Sequence, residues 1–177
     1  ALANLGLLYD EMEDHEKAIN TSKEAMQYLR DVKMPFAQTA SNIAEYYLGA
    51  RQIDSALYYL QQSMEVEKLM NNNEIRTINT NLLSLIYLSR KKYDSAAILL
   101  RNNLDQLSGS GNHWVLVKAL FNQSRLDTSL LRYAEAKKHL TRALEISRKD
   151  GTKVLEAIAL QGLAEVKKKL GYLPDAF

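Results

Sequence analysis

Apolar residues recur along this chain with the spacing of helix faces. Leu2, Leu5, Leu8 and Tyr9 share one side of a helix, and Leu140, Ala143, Leu144 and Ser147 follow the same rule far downstream. The pattern predicts helices over 1–11, 14–32, 35–49, 52–70, 74–90, 93–107, 113–130, 133–149 and 153–170, with a tenth beginning at the C-terminus. Turn chemistry separates them. Asn71-Asn72-Asn73 and Ser108-Gly109-Ser110-Gly111 favour turns, Met34-Pro35 suits the first turn of a helix, and Gly151 and Gly171 suit left-handed helix ends. Asp54 and Asp94 fall in first turns, where a carboxylate meets the positive end of the helix.

The helices come in pairs that repeat. "YLGARQIDSALYYL" (47–60) and "YLSRKKYDSAAILL" (87–100) lie forty residues apart and share Tyr-Leu, Asp-Ser-Ala and a final Leu. With the Ala of Asp-Ser-Ala as anchor, counterparts fall at Ala18, Ala56, Ala96, Ala136 and Ala176, spaced 38, 40, 40 and 40. Twelve residues before each anchor stand Gly6, Ala44, Ser84, Ser124 and Ala164, all small. Seven after come Ala25, Ser63, Asn103 and Ala143; nine before come Tyr9, Tyr47 and Tyr87, with Asp127 and Lys167 departing from the pattern. Small side chains in register mark close approach of two helices, because a larger one would force them apart. A period of this length is the signature of a solenoid, in which each unit buries its apolar face against its neighbours.

The arrangement resembles the tetratricopeptide repeat (TPR) family. Its pattern of small residue, Tyr, Ala and small residue is matched by Gly6-Tyr9-Ala18-Ala25, and in part by Ala44-Tyr47-Ala56-Ser63 and Ser84-Tyr87-Ala96. The repeats are similar to the long, roughly forty-residue variant rather than the usual shorter unit. The resemblance implies an all-α, right-handed solenoid of antiparallel helix pairs, about four and a half repeats at 1–34, 35–73, 74–112, 113–152 and an incomplete 153–177. The chain starts inside an apolar pattern and stops soon after Asp175-Ala176-Phe177 opens a helix, so the expectation is one solenoid domain cut from a longer protein, whose uncapped ends could self-associate.

Composition narrows the function classes. The formal charge of +2 comes from balanced acids and bases, which argues against a dedicated nucleic-acid surface. The absence of cysteine removes thiol catalysis and zinc-thiolate sites. No apolar run approaches the roughly 20 residues of a membrane span. A cysteine-free, nearly neutral chain suits cytoplasm and periplasm alike. His15, His113 and His139 fall at unrelated offsets without metal-ligand spacing, and Ser108-Gly109-Ser110-Gly111 lacks the Lys of a phosphate loop. Lys167-Lys168-Lys169 points in three directions around a helix and reads as a solvated face near its C-terminus. Trp114 is either a packing residue at the start of its helix or a ligand platform. The expectation is a chain with no catalysis and no cofactor.

What remains is a surface. In TPR proteins the first helix of each pair lines a groove, which implies contact positions 18, 14 and 11 residues before each anchor. These are Asn4 and Leu7 in the truncated first repeat, Gln38, Asn42 and Glu45 in the second, and Ile78, Leu82 and Leu85 in the third. Lys118, Asn122 and Arg125 follow in the fourth, and Ile158, Gly162 and Glu165 in the fifth. The carboxamides of Asn4, Asn42 and Asn122 could serve the backbone of an extended peptide, or simply belong to the repeat consensus. Ile78, Leu82 and Leu85 read either as an apolar docking patch, flanked by Glu45 and by Lys118 and Arg125, or as packing against neighbouring helices. The carboxylate grip of chaperone-binding TPR domains is not matched, since Ala3, Leu7 and Ile78 stand where its polar set belongs and only Asn42 survives. The expected function is a protein- or peptide-binding scaffold, with no nucleic-acid contact and no membrane insertion by this segment. The alternative is a sensory segment of a larger regulator, relaying a peptide or protein signal to an attached effector.

Overall fold

The computed structural model describes residues 2–109 and 111–171, apart from the side chains of Ala3 and Glu11. Among these residues it is all helix and turn, with no strand. The helices are α1 (Leu2–Glu11), α2 (His15–Asp31), α3 (Ala37–Gly49), α4 (Ile53–Met70), α5 (Asn73–Ser89), α6 (Tyr93–Leu107), α7 (His113–Ser129), α8 (Tyr133–Lys149) and α9 (Lys153–Lys169). Their ends agree with the periodicity to within two residues. Pro35 does not enter a first turn; it precedes α3, whose N-cap is Phe36. The tenth helix and the anchor Ala176 lie outside the described residues.

Each turn between helices uses one left-handed residue. Among the described residues Gly111 and Gly151 do this as glycines, with Gly171 in the same conformation after α9; Glu13, Lys33, Arg51, Asn71, Lys91 and Leu131 do the same work with side chains. Around Arg51 and Leu131 the chain closes with paired bonds: Gln52 N donates to Tyr47 O (2.8 Å) and Arg51 N to Leu48 O (3.1 Å), then Arg132 N to Asp127 O (2.7 Å) and Leu131 N to Thr128 O (3.1 Å). These bonds satisfy carbonyls that the helix end would leave open. Asp14, Asn72 and Asn112 cap the following helices by accepting from the backbone N–H groups of Lys17, Ile75 and Val115. Leu131 sits at φ 60° and is 72% exposed, so it carries left-handed strain and gains nothing by burial. Leu131→Gly is expected to raise unfolding free energy by about 0.5–1 kcal/mol, the left-handed penalty less the entropy of glycine. Urea denaturation checks this.

The helices fall into two compact units, residues 1–90 and 91–177. In the first, sequence neighbours run antiparallel. Tyr47 of α3 stacks on Tyr59 of α4, with ring centroids 5.5 Å apart, while Ser41 near the start of α3 meets Ser63 further along α4. The anchors Ala18 and Ala56 are fully buried, as is Ala44, and the core continues through Ile43, Leu60 and Ile86. Gly6 is required by its neighbour: a Cβ there would collide with Ser22 Oγ. A buried polar knot ties three helices together. Ser41 Oγ and Ser63 Oγ both donate to Asn79 Oδ1, at 2.7 and 3.0 Å, linking α3, α4 and α5. Nearby, Glu67 is buried against the Arg76 guanidinium at 2.9 Å.

In the second unit α6 to α9 also pack in order. Ala96, Leu100, Ala119, Leu120, Ala136 and Ala143 are fully buried, so the small-residue positions again lie where helices touch. Leu140 of α8 and Val166 of α9 form a small core patch with Ala136, against which Phe121, Tyr133 and Leu163 pack.

Candidate functional site

In the first unit the expected contact positions divide by burial. Asn4, Leu7 and Gln38 are exposed, and Asn42 and Glu45 are half-buried. Gln38 Nε2 donates to Asn42 Oδ1 at 2.9 Å, one helical turn apart, so part of this amide pair's capacity is already used. The apolar trio of α5 is mostly interior. Leu82 is only 6% exposed and belongs to the core with Ile43, Leu60 and Ile86, and Ile78 packs against the same cluster. Leu85 is half-buried. Of the two readings of this trio, packing describes Leu82 and Ile78.

In the second unit Asn122 is 9% exposed, Lys118 is half-buried with its Nζ 5.2 Å from the centre of the Trp114 ring, and Arg125 is exposed. Trp114 remains 48% exposed, with that cation on its face. Arg125 stands at the rim of a depression of about 290 Å³ between α7 and α9. Ser124, Thr128 and Ser129 complete the α7 wall, Leu140 forms the floor, and Gly162, Glu165, Val166 and Lys169 form the α9 wall. Three sequence-predicted positions therefore converge here, namely Arg125, Gly162 and Glu165. The hydroxyl protons of the α7 wall are committed to carbonyls of their own helix: Ser124 to Phe121 O (2.7 Å), Thr128 to Ser124 O (2.8 Å) and Ser129 to Arg125 O (2.9 Å).

The first unit has a different hollow of about 370 Å³ near the ends of α2 and α4, lined mainly by Met34, Phe36, Val66, Leu69 and Met70 with Arg30 and Lys33. The Arg30 guanidinium lies 4.6 Å from the Phe36 ring centre and donates to Gln62 Oε1. Lys23 holds a comparable position over the Tyr47 and Tyr59 rings, at 5.3 and 5.6 Å, and the Tyr47 hydroxyl keeps its ammonium above the usual lysine range. Neither feature coincides with the predicted contact positions.

Each histidine faces an aspartate that sequence spacing did not reveal. His15 Nδ1 is 3.1 Å from Asp10 Oδ1, His113 Nδ1 is 2.9 Å from Asp150 Oδ2, and His139 Nδ1 is 3.0 Å from Asp127 Oδ2. The pairs join the ends or flanks of adjacent helices. Among the described residues no group of three or more His, Cys, Asp or Glu could hold a metal ion, and no helix is long and apolar enough to cross a membrane. The third pair explains a departure from the repeat. Asp127 stands where the first unit has Tyr47, and His139 stands where it has Tyr59. One cross-helix contact is thus filled by stacked rings in the first unit and by a carboxylate–imidazole pair in the second. Asp127 is 3% exposed and also accepts from Gln123 Nε2 at 3.2 Å, so a lone substitution leaves a buried polar group short of a partner. Asp127→Tyr and His139→Tyr are each expected to cost about 1–3 kcal/mol, and the double variant less than the sum of the two. A double-mutant cycle by chemical denaturation checks this.

Comparison with known proteins bears on the same elements. Residues 1–34 and 81–170 match the family model of anaphase-promoting complex subunit 5. The chain belongs to that family. The subunit 5 family is a TPR-like helical-repeat family of scaffold domains, and the chain is a helical-repeat scaffold in that general sense. Its match covers α1 and α2, most of α5, and α6 through α9, including the whole depression around Gly162. The segment between the matched stretches holds α3 and α4, with Ser41, Ser63 and the Tyr47–Tyr59 stack. No curated protein matches the chain.

Proposed function

We propose that this chain is a non-catalytic scaffold that holds a protein or peptide partner against the first helix of each pair. The observation that carries the reading is the depression of the second unit. It lies between two first helices, α7 and α9, and three predicted contact positions line it. Asn4, Gln38, Asn42, Glu45 and Leu85 occupy the equivalent repeat positions on first helices of the first unit, and Lys118 and Asn122 those of the second. Ile78 and Leu82 support that surface from within. The family adds to the reading, because its name is that of a subunit of a complex.

The test is quantitative capture of proteins from source-cell extract by the parent chain and two variants matched for helicity by circular dichroism. One carries Gln38→Ala, Asn42→Ala and Arg125→Glu on first helices; the other carries Tyr58→Ala and Lys137→Glu on second helices. Partners retained by the second variant and lost by the first are expected. Equal capture by all three overturns the assignment.

A further inference from the structure

The depression between α7 and α9 has a chemistry of its own, and the occupant assigned to it here rests on the chain being a scaffold for a protein partner. Two periods before Gly162, the same repeat position holds Leu82, and two periods before Leu140 it holds Leu60. In the first unit Leu82 is buried in the cluster that contains Leu60. In the second unit glycine takes that place, Leu140 packs down onto it, and a depression of about 290 Å³ lies beside them. Glycine inside a helix costs about 1 kcal/mol relative to alanine, a cost set here against the close approach of Leu140. Space is short even for a methyl, since a Cβ at Gly162 would come within 2.9 Å of Leu140 Cδ2.

The volume falls just below the roughly 300–1,000 Å³ range of small-molecule sites, which suits one large side chain better than a cofactor. The floor of Leu140, Gly162 and Val166 is apolar. Around the rim stand two cations, Arg125 and Lys169, against one carboxylate, Glu165. Among the described residues neither cation has an ion pair. The hydroxyl protons nearby are already used, so the rim's available donors are these cations. We propose that this depression receives a single apolar side chain of a partner segment, with acidic residues flanking it to meet Arg125 and Lys169.

The probe is a blocked pentapeptide, acetyl-Asp-Asp-Leu-Asp-Asp-amide, titrated into the full chain and followed by backbone amide NMR. Two controls replace its leucine with glycine or its aspartates with lysine. Saturable shifts at residues 124–129 and 162–169 are expected for the first peptide, with each control at least about tenfold weaker, or about 1.4 kcal/mol. Gly162→Leu should push Leu140 aside and crowd the depression, lower the melting temperature while the chain stays folded by circular dichroism, and weaken binding at least tenfold. Gly162→Ala, which only requires the Leu140 side chain to shift, should give a smaller loss in the same direction. Arg125→Glu should reverse the preference between the aspartate and lysine peptides. Absence of saturable shifts in the parent, or unchanged binding by both Gly162 variants when folded, overturns the proposal. If the pocket fails while the first-helix triple variant still loses its partners, the scaffold reading stands and only this pocket's chemistry falls. If that variant loses nothing, the scaffold assignment itself falls.

Discussion

Leu82→Asp is expected to destabilise the first unit by at least about 3 kcal/mol, through lost apolar burial and the desolvation of a carboxylate. Leu82 is 6% exposed and belongs to the apolar cluster with Leu60 and Ile86. Leu82→Met, which conserves volume, is expected to cost less than about 1.5 kcal/mol. Urea unfolding followed by circular dichroism separates the two. A folded Leu82→Asp chain of parental stability would return Leu82 to the open surface and remove the account of the first unit's core. The same result bears on partner binding. A loss of binding in Leu82→Asp would report unfolding, so groove tests belong on exposed positions such as Gln38 and Arg125.

The second large effect compares one repeat position in two settings. Leu60→Ala is expected to cost about 2–5 kcal/mol, because Leu60 is fully buried and its surroundings are closed by Leu82. Leu140→Ala should fall at the lower end of that range. Its side chain also lines the depression beside α9, so fewer contacts are lost when it is truncated. Equal costs at the two positions would mean that the depression makes no difference to packing around Leu140. A higher cost at Leu140 would contradict the comparison outright.

The sequence carried the architecture because the repeat lives in local signals. Apolar spacing marks the helices, and small residues at fixed offsets mark where they touch, so spacing alone places Ala18, Ala44 and Ala56 in helix contacts. Left-handed turns were legible only where glycine announced them. Glu13, Lys33, Arg51 and Leu131 adopt the same conformation because the returning helix fixes the turn, a tertiary demand that overrides residue preference. The site was legible in part. Offsets from the anchor fall on Arg125, Gly162 and Glu165, which line the depression, yet they could not tell that Leu82 faces inward while its counterpart glycine lies under Leu140 beside that depression. That difference depends on what sits beneath, and Leu60 and Leu140 are the same residue type. The histidine–aspartate pairs escaped for a related reason. Their partners lie on adjoining helices or across a turn, and only the repeat frame shows that Asp127 and His139 replace Tyr47 and Tyr59.

The central claim is that partners meet the first helices. Site-specific photo-cross-linking tests it most directly, with a benzophenone amino acid placed singly at Gln38 of α3, Tyr58 of α4, Arg125 of α7 and Lys137 of α8, all exposed. With a partner captured from extract, covalent adducts are predicted at Gln38 and Arg125 and not at Tyr58 or Lys137. Adducts confined to Tyr58 and Lys137 would contradict the account and move the binding surface to the second helices.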